Sequence, residues 1–169
     1  MMKSLVTNSS CVLLPFLWKD LGKTPFYIGF ALFLFVAAGA LGSFLSPRLE
    51  KFVGSKPVIY FSMWGTFPIM LGFAFTYKSM PELSLALFAI TGFITMLAQP
   101  VVLVWSQKIL PEYKSIVSGL VNGFCWGTVA LALTGLGAVA EFFGIINVLI
   151  FLTLIPLIAS FGVKHLKED

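Results

Sequence analysis

Residues 110–144 read LPEYKSIVSGLVNGFCWGTVALALTGLGAVAEFFG, and this stretch decides the fold class. It opens on a polar turn in which Pro111 suits the first position of a helix. From Ile116 to Ala140 there follow 25 residues without a charge. At about 1.5 Å per residue, such a helix crosses a hydrocarbon layer of roughly 30 Å with some tilt. Ser115, Gly119, Gly123, Gly127 and Gly135 fall at four-residue steps, with Leu131 in the one gap. Helices in lipid associate by close backbone approach over small residues, so the stripe predicts a packing seam in a multi-helix bundle. The competing reading is that glycine is simply frequent in membrane helices.

Composition points the same way. Hydrophobic residues make up 59% of the 169 and charged residues 11%, against roughly 25% charged in an average soluble domain. Mean hydropathy is +0.99. The net charge of +4 does not indicate a nucleic-acid surface, because the basic residues stand singly or in pairs between apolar runs. Cys11 and Cys125 both lie within apolar segments and read as packing residues, with no further ligands for a metal.

Working outward, Thr24-Pro25 reads as an N-cap followed by the first helical residue. The expected spans are 26–46, 58–77, 83–105, 116–140 and 145–163. They are preceded by a partial helix over 4–18, which is too short to cross alone. Residues 4–18 lack a cleavable signal pattern, since Thr7 to Ser10 interrupt the apolar core. Ala38, Gly39, Gly42 and Ser43 form two further pairs of small residues at four-residue spacing. Pro68 and Pro100 should disturb their helices, which is tolerated where neighbours satisfy the freed carbonyl. Trp18 and Tyr77 stand at span ends and read as interfacial anchors. All 169 residues are expected to form a single transmembrane domain.

Charge sets an expected orientation. With the tail in the cytoplasm, that side holds Lys3, Arg48, Lys51, Lys56, Lys108, Lys114, Lys164 and Lys167. The other side holds Lys19, Lys23 and Lys78. This is the bias that membrane insertion favours.

No Asp, Glu, Lys, Arg or His lies in the middle of any span, apart from Lys3 if a further segment precedes it, so polar neutral residues are the candidates for function. Asn8 lies at membrane depth, where its Asn-Ser-Ser context has no meaning as a glycosylation site. Gln99, before Pro100, reads either as a substrate-facing hydrogen bonder or as an interhelical one. Asn122 and Trp126 lie one turn apart and could pair a hydrogen bonder with an aromatic wall, or simply pack. No paired carboxylates, activated nucleophile or phosphate-binding glycine loop occurs. An enzyme is therefore not expected, and no cofactor or metal is implied.

The chain resembles the C-terminal six-helix half of a major facilitator superfamily transporter, and is similar within it to the fosmidomycin-resistance-like efflux permeases. The resemblance is carried by Leu21-Gly22-Lys23-Thr24-Pro25, the Ala-Ala-Gly-Ala-Leu-Gly core of 37–42, Ser106 to Glu112, and the glycines of 118–144. It implies an all-α membrane fold in which the first helix is truncated. It also implies proton-coupled efflux of a small molecule from a bacterial or archaeal inner membrane. The family's gating loop, Gly-x-x-x-Asp-Arg-x-Gly-Arg-Arg, is degenerate here. Gly42 fills its first glycine, Glu50-Lys51 its acid–base pair, and Gly54-Ser55-Lys56 its end, with residues inserted. Lys3-Ser4 matches an Arg-Ser pair partway into the seventh helix, which implies that six preceding helices are lacking. The partners implied are the lipid bilayer and either a separate N-terminal half or a second copy. A non-transporting remnant or a membrane assembly protein is the alternative.

Overall fold

In the computed structural model, residues 2–163 are described along the backbone, and side chains over 7–155 apart from Cys125. The expected charged tail, with Lys164, His165 and Lys167, lies outside the described residues, as does the Lys3 side chain. The described chain is helical throughout: α1 (Met2–Asp20), α2 (Pro25–Val53), α3 (Ser55–Thr76), α4 (Pro81–Leu97), α5 (Gln99–Ile109), α6 (Lys114–Gly119), α7 (Cys125–Phe143) and α8 (Ile145–Val163). A 3₁₀ turn over Pro111–Tyr113 precedes α6, and a π-helical segment over Leu120–Phe124 joins it to α7. Four helical runs are long and apolar enough to cross a membrane: Pro25–Val53, Ser55–Thr76, Pro81–Ile109 and Pro111–Phe143.

Local chemistry sets the ends. Thr24 caps α2 as its side chain accepts from the Tyr27 N–H at 3.3 Å, and Pro25 takes the first position, where its missing donor costs nothing. The opposite end differs from the expected loop at 47–57. Arg48-Leu-Glu-Lys are good helix formers, and α2 runs through Pro47 to Val53. It stops at Gly54, whose φ of 86° suits a residue without a side chain and whose N–H reaches Glu50 O at 2.8 Å. Glu50 and Lys51 are therefore helical residues, and Lys56 belongs to the first turn of α3.

Two apolar clusters hold the bundle. The larger is centred on Trp18, which meets Tyr27, Phe73 and Phe88 edge-on at 5.9, 6.1 and 5.1 Å, while Phe35 stacks on Phe88 at 4.5 Å. Trp18 is only 1% exposed, which corrects its reading as an interfacial anchor. Its indole is covered by Tyr27 of α2, Phe73 of α3 and Phe88 of α4. The smaller cluster gathers Val58, Ile59, Met63, Leu97, Ala98 and Val101 near the other end.

The tightest helix pair is α2 with α4. A Cβ on Gly92 would overlap the Phe35 carbonyl oxygen and come within 3.0 Å of its carbon. One on Gly42 would overlap the Phe93 carbonyl oxygen, and one on Gly39 the Met96 side chain. These glycines let two backbones touch, the usual basis of helix association in lipid. Gly42 is thus a packing residue in mid-helix, and its place in a gating loop is corrected accordingly.

Candidate functional site

The site begins with Pro100. A proline has no N–H, so the carbonyl four residues earlier, on Met96, loses its partner within the helix. The helix breaks at Ala98, whose N–H turns to Met96 O. That move leaves the Ile94 carbonyl without its own i+4 donor. Hydroxyls from the two neighbouring helices fill both positions. Ser43 Oγ of α2 donates to Met96 O at 3.2 Å, and the buried Ser62 Oγ of α3 donates to Ile94 O. Val102 N–H to Ala98 O at 3.0 Å restarts the ladder into α5. The break is therefore braced from both sides. Nearby hydroxyls instead bond back along their own helices, as Thr95 does to Thr91 O at 2.8 Å and Thr66 to Ser62 O at 2.7 Å.

Gln99 stands at this break and is exposed. The interhelical bonds that brace the break come from Ser43 and Ser62. Neither serine was singled out from sequence for this role. The signal that could have found them is the carbonyl a proline strands, which predicts a donor on an adjacent helix at that depth.

A second interruption lies in the next span. Asn122 sits within the π-helical segment, and Trp126 follows in the first turn of α7; both are exposed. Such π segments inside α-helices frequently mark functional positions. Gln107 Nε2 donates to Ser118 Oγ at 2.6 Å and ties α5 to α6 as antiparallel neighbours. Gln99 precedes Leu110 by eleven residues and Asn122 follows Pro111 by eleven. At about 1.5 Å per residue, both lie roughly 17 Å in from that turn. The two irregular backbones thus lie at similar distances from that turn. Within this region α5 packs on α6 rather than on the π segment or α7. Asn8, half-buried on α1 beside the buried Ser9 and Ser10, occupies a separate helix.

The seam expected along Gly119, Gly123, Gly127 and Gly135 is not formed within the described chain. No heavy atom lies within 4 Å of a Cβ built at any of the four. The span Pro111–Phe143 turns most of its surface outward; Leu120, Phe124, Trp126 and Leu131 are all more than half exposed. At the far end of the bundle a crevice of about 840 Å³ opens between α1, α3, α7 and α8. Its walls include Leu13, Phe16 and Leu133, with Asp20, Tyr77 and Glu141 also lining it. Of the residues singled out from sequence, Tyr77 lines it, whereas Asn8, Gln99, Asn122 and Trp126 do not. Among the described residues, no group of three or more His, Cys, Asp or Glu side chains could hold a metal.

Comparison with known proteins gives one family. The model of the Major Facilitator Superfamily matches residues 1–167. The chain is 28% identical over 127 residues to the uncharacterized MFS-type transporter YfnC of Bacillus subtilis (strain 168), covering 75% of this chain and 30% of that protein. It is 34% identical over 110 residues to the fosmidomycin resistance protein of Escherichia coli (strain K12), covering 65% of this chain and 26% of that protein. The chain thus spans less than a third of the length of these curated relatives. No solved structure matches it.

Proposed function

The chain belongs to the Major Facilitator Superfamily, and from that premise we propose that it forms one wall of a transporter that exports a small molecule by alternating access. Such carriers hold substrate near the midplane between two halves and rock one against the other. The observation that carries the reading is the pair of interrupted helices at similar distances from the turn between them. Broken or unwound helices at the midplane are where transporters place polar groups toward substrate. In this proposal Gln99 and Asn122 supply the hydrogen bonds and Trp126 an aromatic wall. Asn8 is a further candidate on α1.

The outward glycine face of Gly119, Gly123, Gly127 and Gly135 is where we place the other half, carried by a separate chain or by a second copy. Its lack of cover inside this chain supports that assignment. Glu50, the Gly54 break and Lys56 would form the inner gate, with Lys51 on the outer side of the same helical end. Proton coupling, an inner-membrane location and a cytoplasmic C-terminus complete the proposal, the last from the distribution of lysines. It is not proposed as an enzyme. Efflux of fosmidomycin is the natural first substrate to try, given the name of one relative.

The test is energised uptake into inverted vesicles containing the chain, alone and with any partner that co-purifies with it. Gln99→Ala and Asn122→Ala should each cut transport at least tenfold while leaving the protein folded. Wild-type flux that equals empty vesicles, with and without the partner, would leave the assembly-protein reading instead.

A further inference from the structure

The basic end of α2 is built differently from the other helix ends, and we propose that it is a binding site for the phosphate of an anionic phospholipid headgroup. The inference needs only that the helix spans lipid and does not depend on transport. Successive residues of an α-helix are set about 100° apart, so Phe26, Phe30, Phe33, Leu41 and Phe44 form one outward stripe. Every one of them is exposed, with Phe26 at 83% and Phe44 at 69%. From Phe26 to Phe44 the stripe rises eighteen residues, about 27 Å, close to the thickness of the hydrocarbon layer.

Arg48 and Lys51 continue that same stripe, about 6 and 10 Å beyond Phe44. This is the depth of the headgroup layer, which extends the roughly 30 Å core to about 40–45 Å. The Arg48 guanidinium packs over the Phe44 ring at 5.8 Å, which directs it along the lipid-facing side. Phe52, 88% exposed, flanks the pair at the same level. Glu50, the acid between them in the chain, is turned away. It projects to the bundle side of the helix, where its Oε1 accepts from Ser55 Oγ at 2.7 Å. Arg48 and Lys51 are thus both exposed on the outward side of α2, away from Glu50. Lys23 and Lys78 lie at the opposite end of the bundle, over the rings of Tyr27 and Tyr77.

The test compares lipids retained by the full chain in detergent micelles doped equally with phosphatidylglycerol and phosphatidylcholine, read by native mass spectrometry. The wild type should retain phosphatidylglycerol preferentially. The Arg48→Gln, Lys51→Gln double variant should weaken that retention about thirty-fold, from about 1 kcal/mol per basic residue at an anionic surface. Lys23→Gln with Lys78→Gln should leave it within a factor of about three. Added free phosphate should not compete if the site takes a lipid. Equal losses in both double variants, or no loss in the first, would overturn the proposal. So would competition by free phosphate, and so would a wild type with no preference between the two lipids. A matching circular dichroism spectrum shows that each variant is folded.

Discussion

Gly92→Ala isolates the contact on which the bundle depends. The new Cβ would overlap Phe35 O and stand 3.0 Å from the Phe35 carbonyl carbon, both backbone atoms that cannot rotate away. Carbon atoms pack at about 3.5–4.0 Å, so α2 and α4 must part by on the order of 0.5–1 Å. A gap of that size forfeits a quarter to a half of each lost dispersion contact along the seam. Overpacking of this kind costs roughly 1–3 kcal/mol. Alanine recovers about 0.5–1 kcal/mol over glycine within a helix, which leaves a net loss of up to about 2.5 kcal/mol, centred near 1 kcal/mol. Gly127→Ala, where nothing lies within 4 Å, should be neutral or stabilising by up to about 1 kcal/mol. Reversible unfolding in mixed micelles, followed by circular dichroism against increasing dodecyl sulfate, reads the difference. If Gly92→Ala matches the wild type, or Gly127→Ala falls as far as Gly92→Ala, the α2–α4 seam does not hold this protein together.

Three further outcomes are expected. Ser43→Ala should cost about 0.6–1.5 kcal/mol in the same assay, typical of interhelical hydrogen bonds in membranes; in a Pro100→Ala background, where a backbone N–H can serve Met96 O, a double-mutant cycle should show most of that cost removed. Trp18→Leu should destabilise by about 1.5–4.5 kcal/mol, from three edge-on aromatic pairs at about 0.5–1.5 kcal/mol each; Trp18→Tyr should also be costly, whereas an interfacial anchor would tolerate tyrosine. With Cys11 and Cys125 replaced by serine, single cysteines at Lys51 and Lys108 should react with an impermeant maleimide from one side of the membrane. A cysteine at Lys23 should react from the other.

Much of the solvent problem was legible in the chain itself. Twenty-five uncharged residues between Ile116 and Ala140 cannot face water, and Thr24-Pro25 can begin a helix but not continue one. The small residues at 38–43 announced a close approach, and Pro100 announced a break. These are one-dimensional properties: charge, length and the presence or absence of a donor. The candidate site was only half legible. Gln99 beside Pro100 stood out, whereas the π-helical segment around Asn122 carries no sequence mark of its own.

Tertiary structure decided which small residues are used. The small residues at Gly119 to Gly135 and those at Gly39 and Gly42 look alike as strings, yet only the second pair has a backbone across from it. A glycine permits contact without choosing a partner, so its role depends on which helices the whole chain sets side by side. The same holds for Trp18, which sequence places at a helix end and packing places in the core. It holds again for Ser43 and Ser62, whose hydroxyls matter because a proline on another helix leaves carbonyls within their reach. Sequence determined that this protein is helical and lives in lipid; only the folded bundle determined which faces meet, because that choice belongs to pairs of helices and not to either one alone.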